Sequence, residues 1–422
     1  MKKQLVQSVR GTRDFYPEQM ALRTWLYNSI RAVSERFGYQ EYEGPILETI
    51  ALYAAKSGEE LVKEQSFVLT DRGGDELTLR PELTPTLARM VAQKQSVLSR
   101  PIRWWSFGPM WRYERPQKGR TREFFQWNID LIGSESVQAD AEIAAMGAEF
   151  FRSVGLGPDI VRVQVNNRRL MNAQLRAMDI QGELVQAVFK VIDKREKMAD
   201  QAWAEYAASV GLSVDQIASL RAVLSNRDLW KQSEELVAFF EAVADLGAAD
   251  YVEYEPSIIR GLDYYTGTVF EARDRDGEFR AVLGGGRYDN LVADVGGDRL
   301  PGVGFAMGDV VVGLVLQKYG KLPALKTCPT QVLIAPFDAG LASAARRLAA
   351  QWRAAGVKVE VYPDAAKLDR QLKYADGKNI PFVAILGPDE AAVNKVMLKD
   401  LRSKTQQLVD QSEAARLLNL AE

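Results

Sequence analysis

The chain has 422 residues, 47% hydrophobic and 26% charged, which at about 150 residues per domain means two or three domains and a core that needs no covalent staples. Lysine and arginine total 54 against 56 aspartates and glutamates, a formal net charge of −2, which argues against a polybasic nucleic-acid binder but does not exclude a local basic face. The single cysteine, Cys328, excludes a disulfide framework and a thiolate zinc cluster, and the complete absence of histidine excludes Ser-His-Asp and Cys-His nucleophile systems and histidine metal sites.

Chemistry in this chain must therefore rest on carboxylates, arginines, lysines, tyrosines, a bound metal or the substrate itself. The cysteine usage fits a reducing compartment, and a cytoplasmic location is expected. Met1-Lys2-Lys3 is basic with no apolar run behind it, so no signal peptide is expected. No uninterrupted apolar stretch is long enough to span a membrane.

Glu18 to Phe37 carries Leu22, Leu26, Ile30 and Val33 at helical spacing, and Gly38 marks its end. Tyr39 to Ile46, with Pro45, reads as a strand. Phe67 to Arg80 holds two short strands around the turn Arg72-Gly73-Gly74-Asp75, and Pro81 to Gln93 reads as helix. Ile102 to Gly133 is rich in aromatic and β-branched residues at both ends, with a polar, basic middle from Arg115 to Arg122. That pattern predicts two antiparallel strands joined by a long charged loop. Ala139 to Ser153 is a helix with an apolar stripe, and Asp159 to Val165 is strand-like.

From about Asn167 to Asp250 the strand signals vanish, and Ala, Leu, Glu and Lys dominate at helical spacing. This is a helical insertion. Strands return at Tyr251–Pro256, Thr268–Arg273 and Arg280–Gly284, and Gly302–Gln317 runs from strand into helix. Beyond a linker from Lys321 to Pro329, strand and helix alternate over Gln331–Pro336, Leu341–Ala355, Val357–Tyr362, Ala366–Asp376 and Pro381–Leu386. That alternation predicts a small α/β domain with a parallel sheet. The expected class is α+β, with an antiparallel-sheet domain over 1–325 (its helical insertion at 167–250) and an α/β domain over 326–422.

Arg112, Arg115, Lys118, Arg120 and Arg122 crowd one hairpin. Such a cluster needs an anion to gather around, and the planar guanidinium fork suits phosphate; a solvated basic loop is the other reading. Arg112 and Glu114 alternate onto one strand face, and Gln126, Asn128 and Asp130 alternate on the partner strand. A polar sheet face bordered by apolar residues reads as a ligand floor. Arg260, with Tyr264-Tyr265 behind it, fits either a ligand site or tyrosine packing and an ion pair with Asp263. Gly284-Gly285-Gly286-Arg287-Tyr288-Asp289 reads as a flexible turn that allows close backbone approach. It is no P-loop, because no Gly-Lys-Ser/Thr follows, and Gly302, Gly304 and Gly308 do not match dinucleotide spacing.

Taken together, Arg10-Gly-Thr-Arg-Asp-Phe-Tyr-Pro17, Leu79-Arg-Pro-Glu-Leu-Thr-Pro85, the Phe107–Gly133 hairpin, Arg260-Gly-Leu-Asp-Tyr-Tyr265 and Gly284-Gly-Gly-Arg-Tyr-Asp289 resemble the histidyl-tRNA synthetases. The order and spacing of these stretches run from Arg10 to the end of the chain. The resemblance implies a class II synthetase catalytic domain and an anticodon-binding domain behind it. It implies activation of L-histidine with ATP and Mg²⁺ to histidyl-adenylate, then transfer to the 3′ end of histidine tRNA. In that reading Arg112 and Arg260 are the catalytic cations, holding the α-phosphate and the histidine carboxylate from two sides. Glu114 accepts from the adenine amino group, Phe124 stacks on the ring, and Arg120 and Arg122 reach the outer phosphates. Glu82, Thr84 and Gln126 hold the α-amino group, with Leu83 in the same histidine-binding set. Asp130 and Tyr265 bracket the imidazole, with Tyr264 beside them. No protein-held metal is implied.

The first helix and strand resemble the class II motif that forms a homodimer interface, although an ordinary core helix fits them as well. Lys367, Arg370, Lys373 and Lys378 either track tRNA phosphates or line a solvated helix face. One departure stands out: the arginine that usually closes the third class II motif is replaced, three residues after Gly308, by Val311. Either Arg120, Arg122 and Arg287 take over its load, or the chain is a catalytically impaired paralogue. Such a paralogue would serve as a regulatory subunit of ATP phosphoribosyltransferase or as a tRNA sensor.

Overall fold

The computed structural model describes residues 5–54, 65–117, 119–259, 264–364 and 366–420. Lys118 and the segment 260–263, which includes the expected Arg260, lie outside them. The chain divides into two compact units. The first takes the residues up to Phe15 and Leu22–Pro323, the second Tyr16–Ala21 and everything from Ala324 onward.

The first unit is built on strands β1 (Gln40–Glu41), β5 (Ile102–Trp111), β6 (Glu123–Ile132), β7 (Val161–Asn167), β8 (Val252–Tyr254), β9 (Thr268–Asp274), β10 (Leu283–Tyr288) and β11 (Gly302–Gly308). They form one eight-stranded sheet in the order β1-β5-β6-β11-β10-β9-β7-β8. Only the two outer pairs, β1 with β5 and β7 with β8, are parallel. Strands β2 (Leu47–Thr49), β3 (Phe67–Thr70) and β4 (Glu76–Leu79) make a separate antiparallel sheet in the order β2-β4-β3. The expected α+β class holds.

Register decides which side chains meet. Across the centre of the large sheet Gln126 faces Gly308, Asn128 faces Ala306 and Asp130 faces Gly304. Next to them Ala306 faces Gly284, Gly304 faces Gly286 and Gly302 faces Tyr288. Because side chains alternate along a strand, these even-numbered residues share one face. The odd-numbered face carries Trp127, Ile129, Leu131, Leu283, Val303, Phe305 and Met307 into the main core. Helices α1 (Pro17–Arg36) and α3 (Val137–Ser153) supply the other side of that core through Leu26, Ile30 and Val33, and through Ile143, Met146 and Phe150. Helix α2 (Thr84–Lys94) seals the opposite face with Leu87 and Val91. Helix α1 ends where expected, before Gly38 at φ 79°, a conformation glycine reaches without strain.

Between β7 and β8 lies the insertion, all helix among its described elements: α4 (Arg168–Ala177), α5 (Glu183–Asp193), α6 (Asp200–Ser209), α7 (Val214–Ser225) and α8 (Glu234–Asp245), with short 3₁₀ turns between. Trp203 is fully buried among them and donates its indole N–H to the Val191 carbonyl at 2.9 Å.

Three expectations need correction. The strand expected over Tyr39–Ile46 shrinks to Gln40–Glu41; the sheet pairing with β5 runs out before Pro45, which has no N–H to donate. The Gly284–Asp289 stretch is no flexible turn, because residues 284–288 belong to β10, buried throughout between β9 and β11. Bare backbone is what lets it fit: a Cβ on Gly286 would stand 2.7 Å from the Thr268 carbonyl and 2.9 Å from the Tyr265 ring. In the second unit the sheet is mixed rather than parallel. Strands β12 (Val332–Pro336), β13 (Val359–Val361) and β14 (Phe382–Leu386) pair in parallel, but β15 (Lys395–Asp400) and β16 (Thr405–Asp410) extend the sheet antiparallel beside β14. Helices α10 (Ala342–Ala354), α11 (Leu368–Gly377) and α12 (Gln411–Leu420) cover it; α9 (Asp309–Lys318) belongs to the first unit.

Candidate active site

The even-numbered sheet face forms the floor of a cleft with about 1130 Å³ of empty space, counted out to its open mouth. The floor is polar on β6, where Gln126, Asn128 and Asp130 stand, and nearly bare on β10 and β11, where Gly284, Gly304, Ala306 and Gly308 stand. The strand alternation read from the sequence places those three polar side chains on this face.

The deep end of the cleft is built from carboxylates and tyrosines. Asp130 is 3% exposed. Its Oδ1 accepts the Tyr288 hydroxyl at 2.5 Å, while its Oδ2 is buried with no hydrogen-bond partner among the described residues. Burial pushes the Asp130 carboxyl up to about 7, against the opposing pull of the Tyr288 hydrogen bond. Tyr264 and Tyr265 stand 4.9 Å apart, and Tyr264 is 6.1 Å from Tyr288, edge to face. Burial holds the Tyr264 and Tyr288 hydroxyls well above the ordinary phenol value, so both act as neutral groups. Glu82, also buried, accepts the Tyr264 hydroxyl at 3.4 Å.

Glu82 and Thr84 both line the cleft, at the start of α2. Leu83 between them does not. Its side chain is fully buried in the core with Leu87 and Val91, because the turn that presents its neighbours to the cleft sends it inward. Of the expected histidine-binding set, Leu83 therefore offers no side chain to a ligand.

The mouth is cationic. Arg112 is aimed by an Nε hydrogen bond to the Pro81 carbonyl at 3.0 Å, and its guanidinium lies 5.4 Å from the Phe124 ring centroid. Glu114 is buried and ion-paired with Arg120. Both of these, with Arg112 and Phe124, line the cleft. Arg122 does not. It stacks on Tyr113 at 4.3 Å and donates to the Glu114 carbonyl at 3.3 Å, so its expected reach to outer phosphates has no support in its placement. Arg287 points to the opposite face of the sheet. At 2% exposed, it donates to Asp140 at 3.0 Å and to the Ser134 and Ser136 carbonyls at 2.9 and 3.1 Å. It is a core strut and cannot take over a phosphate.

Other residues enter the site that no local pattern announced. Tyr288 belongs to the glycine-rich stretch and reaches Asp130 only because β10 is a strand. Arg168, the first residue of α4, is buried and donates to the Ile259 carbonyl at 3.2 Å and the Tyr265 carbonyl at 3.1 Å. It thereby grips the chain on both sides of 260–263. Asn166 adds hydrogen bonds to the Pro256 and Ile258 carbonyls, both 2.9 Å. Asp309, opening α9, accepts the Phe125 N–H at 2.9 Å and the Arg13 guanidinium at 2.8 Å, tying β6 to the N-terminal segment. Arg280, on the loop before β10, lines the same cleft as Arg120.

Comparison with known proteins follows the same lines. A family model described as histidyl-tRNA synthetase matches residues 11–309, and one described as an anticodon binding domain matches residues 331–419. The chain is 38% identical to a histidine–tRNA ligase of Opitutus terrae over 421 residues, covering 95% of each. It is 37% identical to a chloroplastic/mitochondrial histidine–tRNA ligase of Arabidopsis thaliana, covering 96% of this chain and 85% of that one. Among solved structures, a histidyl-tRNA synthetase from a Nostoc species superposes with a TM-score of 0.85 at 26% identity over 100% of both chains. A Bacillus halodurans protein described as an ATP phosphoribosyltransferase regulatory subunit/histidyl-tRNA synthetase shares the fold, at a TM-score of 0.73 and 23% identity over 92% of this chain and 99% of that one. By its matched residues and its full-length relatives, the chain belongs to the histidyl-tRNA synthetase family.

Proposed function

We propose that the chain is a histidine–tRNA ligase: it activates L-histidine with ATP to histidyl-adenylate and transfers the histidyl group to the 3′ end of histidine tRNA. One observation carries the reading. The deep end of the cleft holds a buried carboxylate oxygen with no partner among the described residues, Asp130 Oδ2, inside a cage of tyrosines. A neutral imidazole offers one N–H and one ring nitrogen that accepts. The N–H satisfies Asp130, and a tyrosine hydroxyl serves the other nitrogen. Glu82, Thr84 and Gln126 border the same space and suit the α-ammonium group.

At the mouth the groups change sign, as adenylate formation requires. Attack of the histidine carboxylate on the α-phosphate builds negative charge on phosphate oxygens while pyrophosphate leaves. Preorganised cations lower that barrier. Arg112 is the described residue set for this role, its guanidinium fixed between the Pro81 carbonyl and the Phe124 ring; Arg260 is assigned the opposite side. Phe124 offers a face for the adenine, and Glu114 an acceptor for its amino group once Arg120 turns to phosphate. Among the described residues no group of three or more acidic or sulfur side chains is gathered for a metal. Mg²⁺ in this reading arrives on the ATP phosphates. With no histidine in the chain, the adenylate's own phosphate oxygen takes the ribose proton in the transfer step.

The wider assignments rest on the same reading. The second unit, matched by the anticodon-binding model over residues 331–419, takes the tRNA anticodon, with Lys367, Arg370, Lys373 and Lys378 tracking phosphates. Ile46, Leu47, Val68 and Leu69 stand exposed on and beside the β2-β4-β3 sheet. An apolar edge of that kind supports a homodimer. No helix among the described residues is long and apolar enough to cross a membrane, and a cytoplasmic location suits the reaction. The test is histidine-dependent ATP–pyrophosphate exchange, with each amino acid supplied in turn. Exchange with histidine alone is expected, and no exchange with any amino acid from a folded protein overturns the proposal.

A further inference from the structure

Valine stands at 311, where the resemblance led to an arginine, and Val310 and Val311 give the cleft mouth an apolar wall at the first turn of α9. Of the three arginines expected to stand in, Arg122 lies on Tyr113, Arg287 is locked to Asp140, and Arg120 lines the cleft but is ion-paired with Glu114. Arg280 lines the same mouth. It is exposed, and it makes no ion pair or hydrogen bond with any described residue.

Its position is built. Arg280 lies on the loop between β9 and β10, whose acidic residues are all spoken for. Asp274, buried at the end of β9, accepts the Glu278 and Phe279 N–H groups at 3.3 and 3.2 Å. Lys318, in the last turn of α9, reaches Asp274, Asp276 and Glu278 at 3.5, 2.7 and 3.1 Å. Phe279 packs into the main core. The loop is thus fastened along α9 with its acidic side chains gathered on Lys318, and Arg280 falls on the cleft side. Arg280 borders the cleft together with Ala281, Val282, Leu283 and Gly284, whereas Arg287 turns to the core.

From this placement we infer that Arg280 is the residue that holds the outer phosphates of the nucleotide, doing from the β9–β10 loop what an arginine on α9 would do. The inference rests on the proposed ligase function for the identity of the ligand. The chemistry it names is narrower: a polyphosphate beyond the α-position, on ATP or as free pyrophosphate. A guanidinium with no partner among the described residues can fork onto two phosphate oxygens.

The experiment compares ATP with AMP, which shares the adenosine and α-phosphate but has no outer phosphates. Binding of each is measured by calorimetry on the full-length protein and its Arg280→Ala, Arg280→Gln and Arg280→Lys variants. Arg280→Ala and Arg280→Gln are expected to weaken ATP by about 10- to 100-fold, the loss of one charge-assisted contact. AMP affinity stays within about twofold, and Arg280→Lys falls between. In pyrophosphate exchange the KM values for ATP and pyrophosphate rise together while that for histidine stays. Unchanged ATP affinity, or equal weakening of ATP and AMP, overturns the inference. A wild-type protein that prefers ATP to AMP through Arg280 but shows no exchange with any amino acid leaves the inference standing and removes the ligase reading, so the two failures are distinct.

Discussion

Replacing Asp130 by asparagine separates what this residue does for binding from what it costs the fold. The carboxyl is lifted by burial from 3.8 to about 7. A carboxyl raised in this way binds its proton more tightly in the folded state, so it destabilises the fold as pH climbs from the unfolded value to the folded one. Between those limits each pH unit costs about 1.4 kcal/mol, which gives about 2 kcal/mol at pH 5.5 and about 4 kcal/mol at pH 8. The cost is flat above pH 8. The asparagine side chain cannot ionise, and its carbonyl oxygen can still accept the Tyr288 hydroxyl that Oδ1 of Asp130 accepts at 2.5 Å. Asp130→Asn therefore gains stability relative to wild type, and the gain grows by about 2 kcal/mol from pH 5.5 to pH 8. The assay is urea unfolding of both proteins at the two pH values, followed by tryptophan fluorescence. The same substitution exchanges the free carboxylate oxygen for an amide nitrogen, which presents donors where an acceptor is needed. A charge-assisted bond of about 1.5–3 kcal/mol is lost, so the KM for histidine rises by about 10- to 150-fold, with the KM for ATP little changed. Parallel stability curves for the two proteins refute the buried, ionising carboxyl. An unchanged histidine KM refutes the imidazole contact.

Three further substitutions test the supports of the site. Arg168→Lys removes the planar fork that serves the Ile259 and Tyr265 carbonyls at once; chemical unfolding should show a loss of about 2–4 kcal/mol, and histidine-dependent exchange should fall with it. Gly286→Ala places a methyl group 2.7 Å from the Thr268 carbonyl and 2.9 Å from the Tyr265 ring; a loss of about 1–3 kcal/mol in thermal unfolding is expected, together with a raised histidine KM because Tyr265 is displaced. Glu114→Gln keeps the shape of a buried side chain but ends its ion pair with Arg120; the KM for ATP should rise by about 10-fold in the exchange assay while that for histidine holds.

How much of this is legible in the sequence depends on how far each residue's partners lie along the chain. The β6 half of the hairpin reads correctly because period-two alternation is local: Gln126, Asn128 and Asp130 have to share a face once β6 is a strand. Arg112 and Glu114, expected on the face of the partner strand, lie beyond its end, because β5 stops at Trp111. The Gly284–Gly286 run misleads because three residues without side chains have no periodicity to report. Its strand conformation is imposed by β9 and β11, which flank β10 on both sides. That run hides Tyr288 and Arg287 with it, since strand parity alone sends one to Asp130 and the other to Asp140. Arg168 and Arg280 lie far along the chain from the residues they serve, and only the fold brings them there. Strand β16 escapes because it is the exposed edge of its sheet and its residues are mostly polar, and β15 beside it buries only Val396 and Leu398.

The arrangement of charge in the cleft explains how a chain with no histidine of its own selects one. On the proposed function, Asp130 and Glu82 sit at the deep, buried end and the arginines at the mouth. The substrate's imidazole is then the only imidazole present, and it enters the place where the free Asp130 oxygen is most costly to leave alone. A leucine or phenylalanine side chain would fill the same volume and bury that oxygen unpaired. The carboxyl, already lifted to about 7 by burial, would then take up a proton and be left with an unmet O–H, a cost that grows as the pH rises. Sites built to pair a polar group reject apolar isosteres by far larger factors than apolar pockets reject each other. Selection of this kind works at the first binding step, through what the floor is missing, and needs no second site to remove mistakes.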